Sequence, residues 1–146
     1  MVSDTDRPLP SAYASLDISG DSLYPEFWTR YFAIRPDMSI VKGQPYTTRS
    51  GKVSKILERT GIWSYSSENH ITSDDLDVHI LYLIYLFGLP RPDLKSLLQQ
   101  KNVTMRIFCY FDNEFNRDKT ATIGHHIIQI IEKCGGIIDI DEYRFD

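Results

Sequence analysis

Apolar and polar residues alternate over positions 13–18: Ala14, Leu16 and Ile18 fall on one side, Tyr13, Ser15 and Asp17 on the other. A period of two predicts a half-buried strand. The alternation returns over 103–111, where Met105, Ile107, Cys109 and Phe111 oppose Arg106, Phe108 and Tyr110. Both sides of that run are largely apolar, which places it inside a sheet with both faces covered. A third alternating run, 137–143, sets Ile138 and Ile140 against Asp139 and Asp141. Positions 60–66 form a polar-aromatic strand, and 39–41 a marginal one closed by Lys42-Gly43.

Between these runs the period changes to that of a helix. Leu76, Ile80, Leu83, Ile84 and Phe87 recur at the spacing of one buried helix face. Val78, Leu81, Tyr82 and Tyr85 make that helix apolar almost all round, and Gly88 and Pro90 stop it. Ser73 is placed as its cap, with Asp74 and Asp75 in the first turn, where negative charge complements the helix dipole. Phe27, Tyr31, Phe32 and Ile34 mark an earlier helix, capped by Asp21 or Ser22, with Pro25 in its first turn and Pro36 beyond its end. Positions 93–100 form a shorter helix. Ile123, Ile127, Ile130, Ile131 and Cys134 stripe a last one, ended by Gly135-Gly136.

The predicted order is β-α-β-β-α-α-β-α-β. Strands that come both in succession and across helices imply an α+β fold: a mixed, mainly antiparallel sheet of four to five strands with helices packed on one face. Residues 1–11, with Pro8 and Pro10, form a flexible arm, and 12–146 a single domain. Residues 44–59 make a long polar connection and 112–119 a charged loop.

Charge alters this picture. A formal net charge of −4 and a pI near 5.5 argue against nucleic acid as a partner. Carboxylates gather at Asp74, Asp75 and Asp77, and again at Asp139, Asp141, Glu142 and Asp146, a distribution suited to a partner with a basic surface. Cys109 and Cys134 lie in apolar surroundings and read as small buried hydrophobes in a reducing compartment. The acidic, polar start has no secretory pattern, and the apolar run 78–89 is too short to span a bilayer. The expectation is a cytoplasmic protein with no membrane contact, monomeric or homodimeric.

Candidate chemistry is sparse. Asp75 and His79 are four apart on one helix face, with His70 nearby, and the three could hold a metal or orient an imidazole. The plainer account has Asp74 and Asp75 serving the helix start and His79 as a satisfied core histidine. Adjacent His125 and His126 cannot act as a four-apart pair. No glycine loop for phosphate and no nucleophile elbow is present. Neither catalytic residues nor a cofactor are assigned.

Several landmarks in order resemble one family. They are residues 13–25, with Gly20-Asp21-Ser22-Leu23-Tyr24-Pro25; Ile34-Arg35-Pro36 with Lys42-Gly43; Gly61-Ile62-Trp63; Ser73, Asp75-Leu76 and His79; and Arg106-Ile107-Phe108-Cys109-Tyr110-Phe111. From about residue 12 onward the chain resembles the bacterial domain of unknown function 4279. That resemblance brings no reaction and no catalytic residues. As a small, acidic, single-domain protein the chain is similar in class to immunity proteins. The functional expectation is therefore an immunity protein that binds and neutralises a cognate bacterial toxin or effector domain without catalysis. Its expected contacts are Trp63, Tyr65, Asp74, Asp75, Asp139, Asp141 and Tyr143. The alternative is a metal- or small-molecule-binding enzyme centred on Asp75, His79 and His70. A third reading is a subunit that self-associates through its last strand.

Overall fold

The computed structural model describes residues 11–45, 60–112 and 121–143. The expected arm at 1–10, most of the connection at 46–59 and the loop at 113–119 lie outside the described residues, as does the side chain of Tyr143. Five strands and four helices follow in the predicted order. They are β1 (Ala12–Gly20), α1 (Pro25–Phe32), β2 (Met38–Ile40), β3 (Gly61–Ser66), α2 (Leu76–Phe87), α3 (Leu94–Gln100), β4 (Thr104–Asp112), α4 (His125–Lys133) and β5 (Ile137–Tyr143). The marginal strand is real, so the sheet has five members.

The sheet runs β2-β3-β1-β4-β5. All neighbours are antiparallel except β4 and β5, which are parallel and joined through α4. Register brings the apolar sides of three strands together: Leu16 pairs with Tyr65 and with Ile107, Ile18 with Trp63 and with Met105. The helices cover this face. Trp28 and Phe32 from α1, Leu83 and Phe87 from α2, Leu94 and Leu98 from α3, and Ile127 and Ile131 from α4 close one core with it. Each large apolar side chain so buried contributes roughly 1.5–3 kcal/mol. Phe32, Trp63 and Phe87 meet with ring centroids 4.8–5.9 Å apart, in tilted and edge-on geometries that favour aromatic pairs.

The central strand is β1, with β4 beside it, and only one face of β4 is fully covered. Phe108 and Tyr110 on its other face are half-buried and Arg106 is exposed. The expectation of two covered faces is corrected because those aromatics shield each other and their neighbours rather than meeting a second layer of described helices.

The helix starts also differ from expectation. The N-cap of α2 is Asp75, whose carboxylate accepts from the Asp77 N–H at 2.9 Å. Ser73 instead makes a local turn, its hydroxyl accepting from the Asp75 N–H. The N-cap of α1 is Tyr24, without a side-chain cap, and Pro25 opens the helix. Asp21 pairs with Lys42 at 3.0 Å, and Ser22 donates to the Lys101 carbonyl. Helix α4 ends as its sequence implies. Gly135 adopts φ 80°, its N–H meets the Glu132 carbonyl, and the Gly136 N–H meets that of Ile131, a Schellman closure.

Candidate functional site

The residues singled out in the sequence fall into two places. The first is the junction of β1, β3 and α2. Just past β3, Ser67 accepts from the Ala14 N–H at 3.0 Å and lies 2.7 Å from Nδ1 of His79. Nε2 of His79 lies 2.9 Å from the Ser73 carbonyl oxygen. A carbonyl only accepts, so Nε2 carries the proton, and Nδ1 accepts from the Ser67 hydroxyl. Both side chains are wholly buried. A Ser-His contact of this kind would activate a nucleophile if a substrate could reach it. Here the Ser67 oxygen is occupied by the backbone of β1 and closed to solvent, so the pair acts as a polar bolt between sheet and helix.

That arrangement bears on the alternative ligand set. Both ring nitrogens of His79 are committed, Asp75 is an exposed helix cap, and His70 lies flat on two tyrosines at the surface. The His70 ring is 5.5 Å from Tyr65 and 5.8 Å from Tyr82, near parallel to both. Among the described residues no group of three or more His, Cys, Asp or Glu could hold a metal ion. The thiols are equally withdrawn. Burial, with a smaller push from Asp139, raises Cys109 to about 12, and burial also raises Cys134.

Two of the expected contact residues sit in the core. Trp63 has no exposed surface, and its indole N–H donates to Thr29 at 3.0 Å. Tyr65 is nearly buried, with its hydroxyl 2.8 Å from that of Tyr82. The polar-aromatic run that suggested a surface is β3, paired on both sides by β2 and β1, and its aromatics alternate inward, so a partner meeting the surface does not reach Trp63. Asp74 and Asp75 lie at the start of α2, in the helix layer.

The second place is the sheet face opposite the helices. Here Tyr13 on β1 stacks on Tyr110 of β4, centroids 5.2 Å apart and planes at 19°, with Phe108 beside it. Arg106 reaches Asp17 at 3.6 Å and Asp139 at 3.4 Å and lies over the Phe108 ring. Asp17 is also held by the Ser64 hydroxyl at 2.6 Å. Asp139 and Asp141 are level with Phe108 and Tyr110, and Tyr143 with Asp112. The Tyr13 phenol reports the local field. Burial raises its pKa first, and Glu68, Tyr110, Asp141 and Asp17 all push it further the same way. Two carboxylates, Asp17 and Asp139, thus share the guanidinium of Arg106, and Asp141 adds a third negative charge on the same face. An aromatic platform in negative potential suits a cationic side chain.

Sequence reasoning selected Asp139 and Asp141 on this face, and Tyr143 further along β5, but missed Tyr13, Asp17, Arg106, Phe108 and Tyr110. Their signal was present in the alternation of β1 and β4; what was missing was the pairing that places them side by side. It also passed over the outer side of α2 as a surface, where Val78, Leu81 and Tyr85 are exposed, Tyr85 at 87%. No described helix is long and apolar enough to cross a membrane. No curated protein and no solved structure matches the chain. The family model described as Domain of unknown function (DUF4279) matches residues 10–145, and the chain belongs to that family.

Proposed function

We propose that this protein is an immunity protein, which captures a cognate bacterial toxin or effector domain and blocks it without catalysis. The observation that carries the reading is the sheet face opposite the helices, where the half-buried Tyr13–Tyr110 stack lies beside the exposed Asp139 and Asp141, with Asp17 buried next to it. Acidic groups of this kind accelerate encounter with a basic partner, and rigid aromatic rings supply contact area at low entropic cost. The withdrawn Ser67–His79 pair and the high-pKa thiols favour binding over chemistry as the role. The partner carries a basic surface, and cytoplasmic encounter fits the reduced cysteines.

The test is to isolate tagged protein from its native cells and identify what comes with it, then to express the captured domain with and without it. A near-stoichiometric toxin domain whose lethality is lifted supports the proposal. A toxin domain encoded beside the gene that kills equally in both cases removes it.

A further inference from the structure

Strand β5 ends the sheet, and among the described residues no strand pairs with its outer edge. Such an edge is a template for an incoming strand unless something blocks it. Over positions 138–141 apolar and acidic residues alternate between the two sides of the edge, with Glu142 following on the apolar side and Ile137 preceding on the acidic side. Ile138 and Ile140 share the helix side of the sheet with Ile107 and Cys109, while Asp139 and Asp141 share the open side with Phe108 and Tyr110. Ile140 is 43% exposed although it lies on the helix side. Beneath it, between α4 and β5, runs a groove of about 430 Å³ lined mainly by Ile123, Ile128, Ile138 and Ile140, with the carboxylate-bearing Glu132 among them.

We infer that β5 accepts an extended segment of a partner protein as a sixth strand, and that this segment alternates apolar and basic residues. The inference rests on the partner-binding reading above and names the element of the partner that docks. Main-chain hydrogen bonds to the outer edge of β5 supply the common part of the affinity. Alternation then decides specificity, because neighbouring side chains of a strand leave on opposite faces. Apolar residues of the incoming strand enter the groove beside Ile138 and Ile140. The residues between them stand beside Asp139 and Asp141, where Lys or Arg is favoured and Glu or Asp repelled.

The same charges disfavour a second copy of this chain as the occupant. The antiparallel register that pairs β5 along its whole length is centred on Ile140. It sets Asp139 of each copy against Asp141 of the other, two like-charge pairs directly opposed. The acidic residues therefore keep the edge from closing on itself while leaving it open to a basic strand.

Synthetic peptides test this with the full-length protein. The probes are an alternating valine-lysine peptide, a valine-glutamate peptide and a glycine-lysine peptide of equal charge. Binding is followed by calorimetry and by hydrogen exchange of the β5 amides. The valine-lysine peptide is expected to bind and to protect alternate β5 amides at least tenfold, with the other two at least tenfold weaker. D139K/D141K is expected to reverse the preference toward the glutamate peptide. D139N, a milder change, should weaken the lysine peptide severalfold with the fold intact by circular dichroism.

Equal binding of glycine-lysine, or binding without β5 protection, overturns the proposal, as does β5 protection through a concentration-dependent dimer without peptide. A toxin that binds tightly while leaving β5 amides unprotected also overturns it, yet leaves the immunity reading standing. Strand docking with no relief of toxicity does the reverse.

Discussion

The hydroxyl of Ser67 and Nδ1 of His79 lie 2.7 Å apart, both side chains fully buried. Each also serves the backbone: Ser67 accepts from Ala14, and His79 donates to Ser73. Removing either leaves the other with an unmatched polar atom. H79A is expected to cost about 2–4 kcal/mol, combining a cavity with lost hydrogen bonds, and S67A about 1–3 kcal/mol. Urea unfolding of both single variants and the double variant checks this. The double should fall short of the sum, and strict additivity would show that the pair is not coupled.

Arg106 stands between Asp17, nearly buried, and Asp139, largely exposed. Its removal leaves a low-exposure carboxylate with only the Ser64 hydroxyl. R106A should destabilise by about 1–2 kcal/mol, and D139N by less than about 0.5 kcal/mol, because the exposed arm of the bridge is screened. Thermal melts at low and high salt separate the two arms.

Gly61 pairs across the sheet with Gly20. A Cβ at position 61 would lie 2.9 Å from the Leu23 Cβ, 3.0 Å from the Gly20 carbonyl oxygen and 3.2 Å from that of Ile40. Two of these are backbone atoms with no room to yield. G61A is expected to lose about 1–3 kcal/mol in denaturant titration, from overpacking alone.

Burial, aided by the hydrogen bond that its hydroxyl donates to Asp93, raises the Tyr31 phenol from its ordinary value of 10.0 to about 12. The folded state thus holds the proton more tightly than the unfolded chain. This contribution is complete below pH 10 and is lost as pH rises toward 12. Stability of the native sequence should fall across that window more steeply than that of Y31F, as read by chemical unfolding at stepped pH.

Cys109 is wholly buried and its thiol is raised to about 12. At pH 8 it presents almost no thiolate and no path for a reagent. Labelling by iodoacetamide should proceed only through opening of the core, at a rate that tracks denaturant concentration. Fast labelling of the folded protein would contradict the described burial.

Much of the fold was legible in local pattern. The alternation of β1 and β4 and the Leu76, Ile80, Leu83, Phe87 spacing of α2 each depend on one element facing one core, and each was read correctly on that face, while the second covered face expected of β4 was not found. Caps were read less well. The sequence Ser73-Asp74-Asp75 offers three capping side chains in a row, and the choice among them is made by His79, which draws the Ser73 carbonyl inward. Asp21 was likewise claimed by Lys42 from across the chain. Trp63 shows the limit for a candidate surface. The residues after it are the polar Ser64, Ser66 and Ser67 with Tyr65, but its neighbours in space are Phe32 and Phe87. The Tyr13–Tyr110 platform shows the converse, since two unremarkable strand tyrosines become a feature only through the β1–β4 register.

The middle place of β1 in the sheet has a consequence for how the chain reaches this state. Its two flanking strands come later in the sequence: Ala14 meets Ser67, 53 residues on, and β4 lies further still. Such non-local pairing slows collapse to the native arrangement, because a large loop must close before any contact rewards it. During synthesis β1 emerges with neither neighbour yet made. A charged group on a strand disfavours mispairing, and Asp17 places one on the side of β1 opposite Leu16 and Ile18 while that strand waits.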